Sequence, residues 1–164
     1  MRVLGIDPGT YKMGVGIVNA FGDDISLEHF EVLSPKKHDS LAERLYFLYS
    51  KLSEIISEVK PTEVAIEEPF AARNVKAAMA IGQAQAIAMV AAAQNGLSVS
   101  NYAPSQVKQS VTDYGGSSKE QVQEMVSVLL GIDSLTDSFD ASDALAVAIC
   151  HINASRMIDF QIRG

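Results

Sequence analysis

Four acidic side chains stand where the predicted elements of the chain could bring them together. Asp7 ends the first apolar run, and Glu67 ends a later short apolar run. Asp140 and Asp143 are three residues apart, so a helix places them on one face. If the first and fourth predicted strands are neighbours, we expect Asp7 and Glu67 to meet at one sheet edge, beyond the carboxyl ends of the strands.

Carboxylate oxygens in such a cluster favour a hard divalent cation such as Mg²⁺. The acids also have simpler interpretations, since acids in a first helical turn interact with the helix dipole and Asp7 precedes a Pro-Gly turn. Glu67 is harder to explain in that way, because it closes an apolar strand and is followed by Glu68. Buried like charges are costly without a cation. The three histidines lack the spacing of zinc ligands.

Two Mg²⁺ ions at a separation of about 3.5–4 Å would let one ion activate water while the other stabilises the leaving oxygen of a phosphodiester. Such a reaction needs no nucleophilic side chain. The four acids therefore predict metal-dependent phosphodiester hydrolysis.

The elements that must position these acids follow from hydrophobic spacing and turn residues. Three consecutive strands predict an antiparallel meander, and the later strands alternate with helices, which parallel pairing requires. We therefore predict an α/β fold, a single domain over residues 1–164 with a mixed five-stranded sheet and helices on both faces. The predicted strands are 2–7, 12–20, 24–33, 63–67 and 97–102, and the predicted helices begin near residues 41, 74, 104, 118 and 137–139.

Composition fits one compact domain, and the charge is unevenly distributed along the chain. The chain has 164 residues, 48% of them hydrophobic, one cysteine and a net charge of −7. The net charge argues against a polyanionic partner, but residues 69–112 carry Arg73, Lys76 and Lys108 and no acid. Either this segment binds an anion or its alanine-rich helix simply has little room for charge. We expect no membrane span, no export signal, a cytoplasmic protein and a buried Cys150.

Five segments together resemble the RuvC family of Holliday junction resolvases. They are GIDPGT at 5–10, AIEEPF at 65–70, GQAQAIAMVAA at 82–92, YAPSQVKQSV at 102–111 and FDASDALAVAICH at 139–151. The resemblance implies a ribonuclease-H-like fold and a homodimer that nicks four-way DNA junctions in pairs. It implies two Mg²⁺ ions per site, with Mn²⁺ as a substitute, and 5′-phosphate and 3′-hydroxyl ends as products. It also implies roles in recombination and repair beside the RuvA and RuvB branch-migration proteins.

The resemblance assigns roles to individual positions. The implied metal ligands and catalytic acids are Asp7, Glu67, Asp140 and Asp143, and Lys119 is the implied catalytic cation. The implied DNA contacts are Phe70, which stacks on a base, and Arg73, Lys76, Lys108 and Lys119. The chain departs from the family pattern at Gln85, where a basic residue is common, in its acidity, and in ending without a basic tail.

Three alternatives stay open. The turn at 5–10 also resembles the phosphate loop of actin-like ATPases and sugar kinases, although one domain is too small for that fold. A ribonuclease-H-like nuclease acting on RNA or on other branched DNA is the second alternative, and a catalytically silent junction-binding scaffold is the third. The small residues Ala78, Gly82 and Ala86 predict a close helix contact, either in the domain core or between protomers.

Overall fold

The computed structural model describes residues 1–69, 74–133, 135 and 139–163 of the chain, without the side chains of residues 159 and 163. Phe70 and Arg73, two of the predicted DNA contacts, lie outside the described residues. Residues 137–138, the earliest predicted start of the last helix, also lie outside the described residues.

The described residues form strands and helices in the predicted order. The strands are β1 (Arg2–Asp7), β2 (Met13–Phe21), β3 (Asp24–Leu33), β4 (Glu63–Glu67) and β5 (Ser98–Tyr102). The helices are α1 (Leu41–Val59), α2 (Val75–Gln94), α3 (Pro104–Thr112), α4 (Lys119–Leu130) and α5 (Phe139–Arg163). Strands β2 and β5 each begin one residue later than expected, within the ordinary uncertainty of element ends.

Strand pairing gives a five-stranded sheet in the order β3-β2-β1-β4-β5. β1 pairs antiparallel with β2, and β2 with β3. β1 pairs parallel with β4, and β4 with β5. The predicted meander and mixed sheet are confirmed, and β1 and β4 are direct neighbours, as the proximity of Asp7 and Glu67 requires.

Local capping groups fix the helix ends. The Ser40 side chain accepts a hydrogen bond from the Glu43 backbone N–H, and the Glu43 carboxylate accepts one from the Ser40 backbone N–H, which starts α1. Lys60, in the left-handed region at φ 53°, ends α1 just before Pro61. Ser118 caps α4 in the same reciprocal way, with Gln121 as its partner.

In strand β3 the alternation of core-facing and outward-facing residues shifts by one position part of the way along. Leu27 pairs with Val18 but His29 pairs with Ile17, so Glu28 is the extra residue of a β-bulge. Because a bulge reverses the alternation, Phe30 rather than His29 packs on the core. The sequence pattern alone left these two residues as alternatives.

Both faces of the sheet are covered, as predicted. Helices α3, α4 and α5 pack on one face around a core that includes Val3, Val18 and Leu145. Helices α1 and α2 pack on the other face around Leu4, Ile6 and their neighbours. Cys150, in the first core, is buried as expected.

Helix α2 has an unusual composition for a surface helix. Within the described part of the chain, it is long and apolar enough to cross a membrane by length and composition, whereas the sequence predicted that its central stretch falls short. Four of its alanines are nevertheless buried in the core shared with α1: Ala84, Ala88, Ala91 and Ala92. Length and composition alone do not distinguish a membrane span from a core helix.

Candidate metal and DNA site

The carboxyl ends of two parallel strands place the first two acids side by side. Ile6 pairs with Ile66 in the register between β1 and β4, so Asp7 and Glu67 follow at the same edge of the sheet. Both residues are partly buried there. The predicted proximity of these two carboxylates is confirmed.

Glycines in β1 and β2 let α5 bring the other two acids to that edge. A Cβ atom on Gly14 would lie 1.9 Å from the Asp140 carbonyl oxygen, and one on Gly5 would lie 2.1 Å from the Ala144 carbonyl oxygen. Real side chains never approach a backbone so closely, so only glycine allows the first turns of α5 to rest directly on the strands. From the sequence, these glycines were interpreted only as strand residues. The spacing of the glycines in β2 was the available signal that a helix packs closely on the strand.

The first residue of α4 brings a cation into the same site. The Lys119 ammonium donates a hydrogen bond to Asp143 Oδ2 at 2.7 Å. Lys119 Nζ also lies 5.9 Å from the centre of the Phe139 ring. The predicted catalytic lysine is therefore in contact with one of the predicted metal ligands.

Crowding of carboxylates changes their protonation. Burial, followed by the negative charges of Glu67 and Asp143, raises the pKa of Asp7 well above its usual range, with Asp140 acting in the same direction. Burial and the charge of Asp143 raise the pKa of Glu67 to about 7, although Lys119 and Lys108 oppose the shift. The charges of neighbouring acids therefore act on both Asp7 and Glu67.

The same surroundings favour the charged form of Lys119, whereas they disfavour the charged forms of Asp7 and Glu67. Burial lowers the pKa of Lys119, but its hydrogen bond to Asp143 and the charges of Asp143, Asp7 and Glu67 outweigh burial and raise the pKa overall. The ammonium group therefore keeps its proton at neutral pH. A cation held beside several carboxylates, one of them with a pKa near neutrality, is typical of a functional site.

A small cavity opens beside these charges. It has a volume of about 190 Å³ and contains Glu67, Lys108, Lys119 and Asp143 among its lining residues. Its remaining walls come from α3, α4 and α5: Pro104, Val107, Val122 and Ala146. Charged groups of both signs at a pocket with apolar walls can hold a phosphate and a cation together.

The donor set suits a divalent cation in kind. Four carboxylates from three elements offer the oxygen ligands that Mg²⁺ prefers. Among the residues that the structure describes, however, no three His, Cys, Asp or Glu side chains stand close enough together to hold a metal ion. Here Asp143 is paired with Lys119 instead, so the acids share an edge of the sheet without forming a compact ligand cluster.

Lys76, a predicted DNA contact, and Gln85, where the chain departs from the family pattern, both lie on helix α2. Lys76 is exposed in the first turn of α2, whose N-terminus is capped by Asn74. Gln85, which stands where the family commonly has a basic residue, donates a hydrogen bond from Nε2 to Asn101 Oδ1 at 3.0 Å. Gln85 is thereby tied to β5.

The mixed sheet, with α5 across it and carboxylates at the edge, is a ribonuclease-H-like fold. The family model of crossover junction endodeoxyribonuclease RuvC matches residues 3–151. A RuvC from Dehalococcoides mccartyi is 49% identical over 151 residues, which are 92% of each chain, and one from Natranaerobius thermophilus is 44% identical over 157 residues, which are 96% of this chain and 98% of the relative. The chain belongs to the RuvC family.

Solved structures agree with this assignment. Thermus thermophilus RuvC in complex with a Holliday junction substrate superimposes with a TM-score of 0.90 at 35% identity, covering 96% of each chain. The fowlpox virus Holliday junction resolvase, at 13% identity and a TM-score of 0.60, covers 94% of this chain and 99% of its own and shares the fold.

Proposed function

We propose that this protein is a structure-selective endonuclease that resolves four-way DNA junctions in recombination and repair. It would hydrolyse phosphodiester bonds in pairs and leave 5′-phosphate and 3′-hydroxyl ends. The observation that carries the proposal is the family match over residues 3–151, combined with the carboxylates at the sheet edge. The names of the relatives include both a crossover junction endodeoxyribonuclease and a protein bound to a Holliday junction.

In this proposal Asp7, Glu67, Asp140 and Asp143 hold Mg²⁺, with Mn²⁺ as a substitute. The bound cation supplies an activated water and stabilises charge on the leaving oxygen. The raised pKa values of Asp7 and Glu67 support this role, because carboxylates that repel one another gain most from a cation between them.

Lys119 and Lys108 supply positive charge at the cavity mouth. Lys119 keeps its proton and donates it in a hydrogen bond to Asp143, so it can donate equally to a phosphate oxygen that enters the cavity. Lys108 lines the same cavity and acts on Glu67 through its charge. Phe70, Arg73 and Lys76 complete the proposed DNA contacts.

The proposed assembly is a homodimer, because paired incision needs two sites. Helix α2 supports this assembly. Among the residues that the structure describes, a Cβ atom on Gly82 would meet no neighbouring atom within 4 Å, and Ala86 is exposed. The small residues at 78, 82 and 86 therefore do not serve a close contact at Gly82 within the described core. Of the two roles predicted for these residues, the seam between protomers is favoured. The cytoplasmic location and the RuvA and RuvB partners rest on family membership alone.

The test is a substrate comparison with the full chain and Mg²⁺. A mobile four-way junction, a replication fork and an RNA–DNA hybrid are incubated in parallel, and products of the junction are treated with DNA ligase. We expect symmetrical, ligatable nicks in the junction, none with Asp7→Asn, and little cutting of the hybrid. Preferential cutting of the hybrid would favour the alternative of an RNA-directed nuclease.

A further inference from the structure

A hydrogen-bonded chain centred on a buried histidine links three elements on the α5 side of the sheet. His151 of α5 is 5% exposed. Its Nδ1 lies 2.8 Å from the Tyr102 hydroxyl at the end of β5, and its Nε2 lies 2.8 Å from Glu63 Oε2 at the start of β4. A carboxylate only accepts hydrogen bonds, so Nε2 donates to Glu63, and in the neutral ring Nδ1 accepts from Tyr102.

This chain lies at the opposite end of the α5–β4 contact from the acids. Glu63 and Glu67 are four residues apart, so they share one face of β4 and are separated by about 13 Å. His151 and Asp143 are eight residues apart on α5, a rise of about 12 Å. The two spans match, which places Glu63 against His151 at one end and Glu67 near Asp143 at the other.

The two ends of the contact between α5 and β4 differ in how their polar groups interact. At the site, Glu67 and Asp143 are two carboxylates that line one cavity. At the other end, Glu63 accepts a hydrogen bond from the buried His151 ring, and Tyr102 donates one to the other ring nitrogen. Buried polar groups that are fully paired fix one arrangement of the elements that carry them, because any slip leaves a group without a partner.

We propose that Tyr102, His151 and Glu63 are positioning residues, which hold α5 in register with β4 and so keep Asp143 and Asp140 at the sheet edge where Glu67 lies. The inference rests on the proposed function, since it treats the four acids as metal ligands. None of the three residues lines the cavity beside the acids. Their effect is therefore on metal affinity.

The experiment measures Mn²⁺ binding to the full chain without DNA, using the electron paramagnetic resonance signal of free Mn²⁺. Tyr102→Phe removes one link, and Glu63→Gln, which is nearly isosteric, weakens the other by replacing the carboxylate acceptor with a neutral amide oxygen. We expect each to raise the Kd for Mn²⁺ about threefold to tenfold, the range for energetic coupling through a packed network. In junction cleavage the half-saturating Mn²⁺ concentration should shift by the same factor, while kcat at saturating Mn²⁺ stays within about twofold of wild type.

Asn153→Ala is the matched control. Asn153 lies two residues beyond His151 on α5, and its amide donates to the Ser110 carbonyl and hydroxyl at 3.3 and 3.2 Å, which ties α5 to α3 rather than to β4. We expect a comparable loss in Tm with unchanged Mn²⁺ affinity. Unchanged Mn²⁺ affinity in Tyr102→Phe and Glu63→Gln, or an equal loss in Asn153→Ala, would overturn the positioning role while wild-type cleavage still upheld the proposed function. A wild-type protein that bound no Mn²⁺ and cut no junction would overturn both.

Discussion

Helix α5 covers one face of the sheet by backbone contact, whereas α1 and α2 cover the other face through side chains. On the α5 face, Gly5 and Gly14 remove any side chain between strand and helix. On the opposite face, Leu48, Leu52 and Ala88 fill an ordinary apolar layer over Leu4. The proposed chemistry lies on the face with backbone contact, because carboxylates from separate elements must be placed closely and a glycine contact leaves little freedom.

The largest effect is expected at the acids themselves. Asp7→Asn, Glu67→Gln, Asp140→Asn and Asp143→Asn should each reduce junction cleavage to background while junction binding is largely retained. In Asp7→Asn and Glu67→Gln, removal of one of several repelling charges should also keep the metal-free Tm at or above that of wild type. Gel-shift, cleavage and thermal melts check these outcomes, and normal cutting by Glu67→Gln would exclude it as a metal ligand.

Gly14→Ala tests the backbone contact directly. Its Cβ atom would lie 1.9 Å from the Asp140 carbonyl oxygen, so α5 must move away from β2. We expect a loss of stability of about 3 kcal/mol and, because a shift of about 1 Å misplaces the acids, a loss of cleavage of about a hundredfold. Urea denaturation and single-turnover cleavage measure the two effects. Full activity in this variant would contradict the link between the glycine contact and the site.

The pH dependence of cleavage and of stability tests the raised pKa of Glu67 on the α5 face. Glu67 has its pKa raised from 4.5 to about 7, so below that pH it holds a proton that a metal must displace. Cleavage at subsaturating Mg²⁺ should therefore fall by up to about tenfold per pH unit below 7. The pKa of the folded form is the higher one, so the contribution of Glu67 to metal-free stability is greatest below pH 4.5 and declines as pH rises to about 7. Thermal melts without metal, compared with Glu67→Gln, isolate this contribution.

A smaller effect is expected for DNA contacts. Lys108→Ala removes a cation from the cavity beside the acids, so the slope of log affinity against log salt should fall by about 1. Lys51→Ala is the control from the other face, since Lys51 lies on α1 and pairs with Glu54. Junction binding across a salt series should show a wild-type slope for Lys51→Ala. Equal slopes in all three proteins would place the DNA on another surface.

Gly82→Ala should have the smallest effect on the fold and even a favourable one. No neighbouring atom of the described part of the chain lies within 4 Å of the new Cβ atom. Alanine in a helix interior stabilises by about 0.5–1 kcal/mol relative to glycine, and urea denaturation of dilute protein measures this gain. If α2 forms the seam between protomers, the same substitution weakens dimerisation in sedimentation experiments. A loss of stability in the dilute protein would place Gly82 in a contact within the domain.

The features that could be predicted from the sequence are those that depend on residues close together in the chain. Ser40, Pro61 and Ser118 mark helix ends through capping and proline geometry, which depend on a few adjacent residues. The four acids were also predictable, because strand ends and helical spacing place them without knowledge of packing. Their roles as ligands stay a prediction.

What the sequence did not reveal depends on residues far apart in the chain. The bulge at Glu28 is a property of how two strands pair, and alternation along one strand left His29 and Phe30 equivalent. The Glu63–His151 pair joins residues 88 positions apart, and neither residue carries a local signal of its partner. Similarly, Gly14 is an ordinary strand glycine until α5 is seen to rest on it.

The contact between Gly14 and Asp140 joins two parts of the chain that are synthesised well apart in time. Asp7 lies in β1, whereas Asp140 and Asp143 lie in α5. A nascent chain that has completed β1 to β5 and α1 to α4 still lacks half of the four acids. A product of premature termination before α5 would therefore carry an incomplete site.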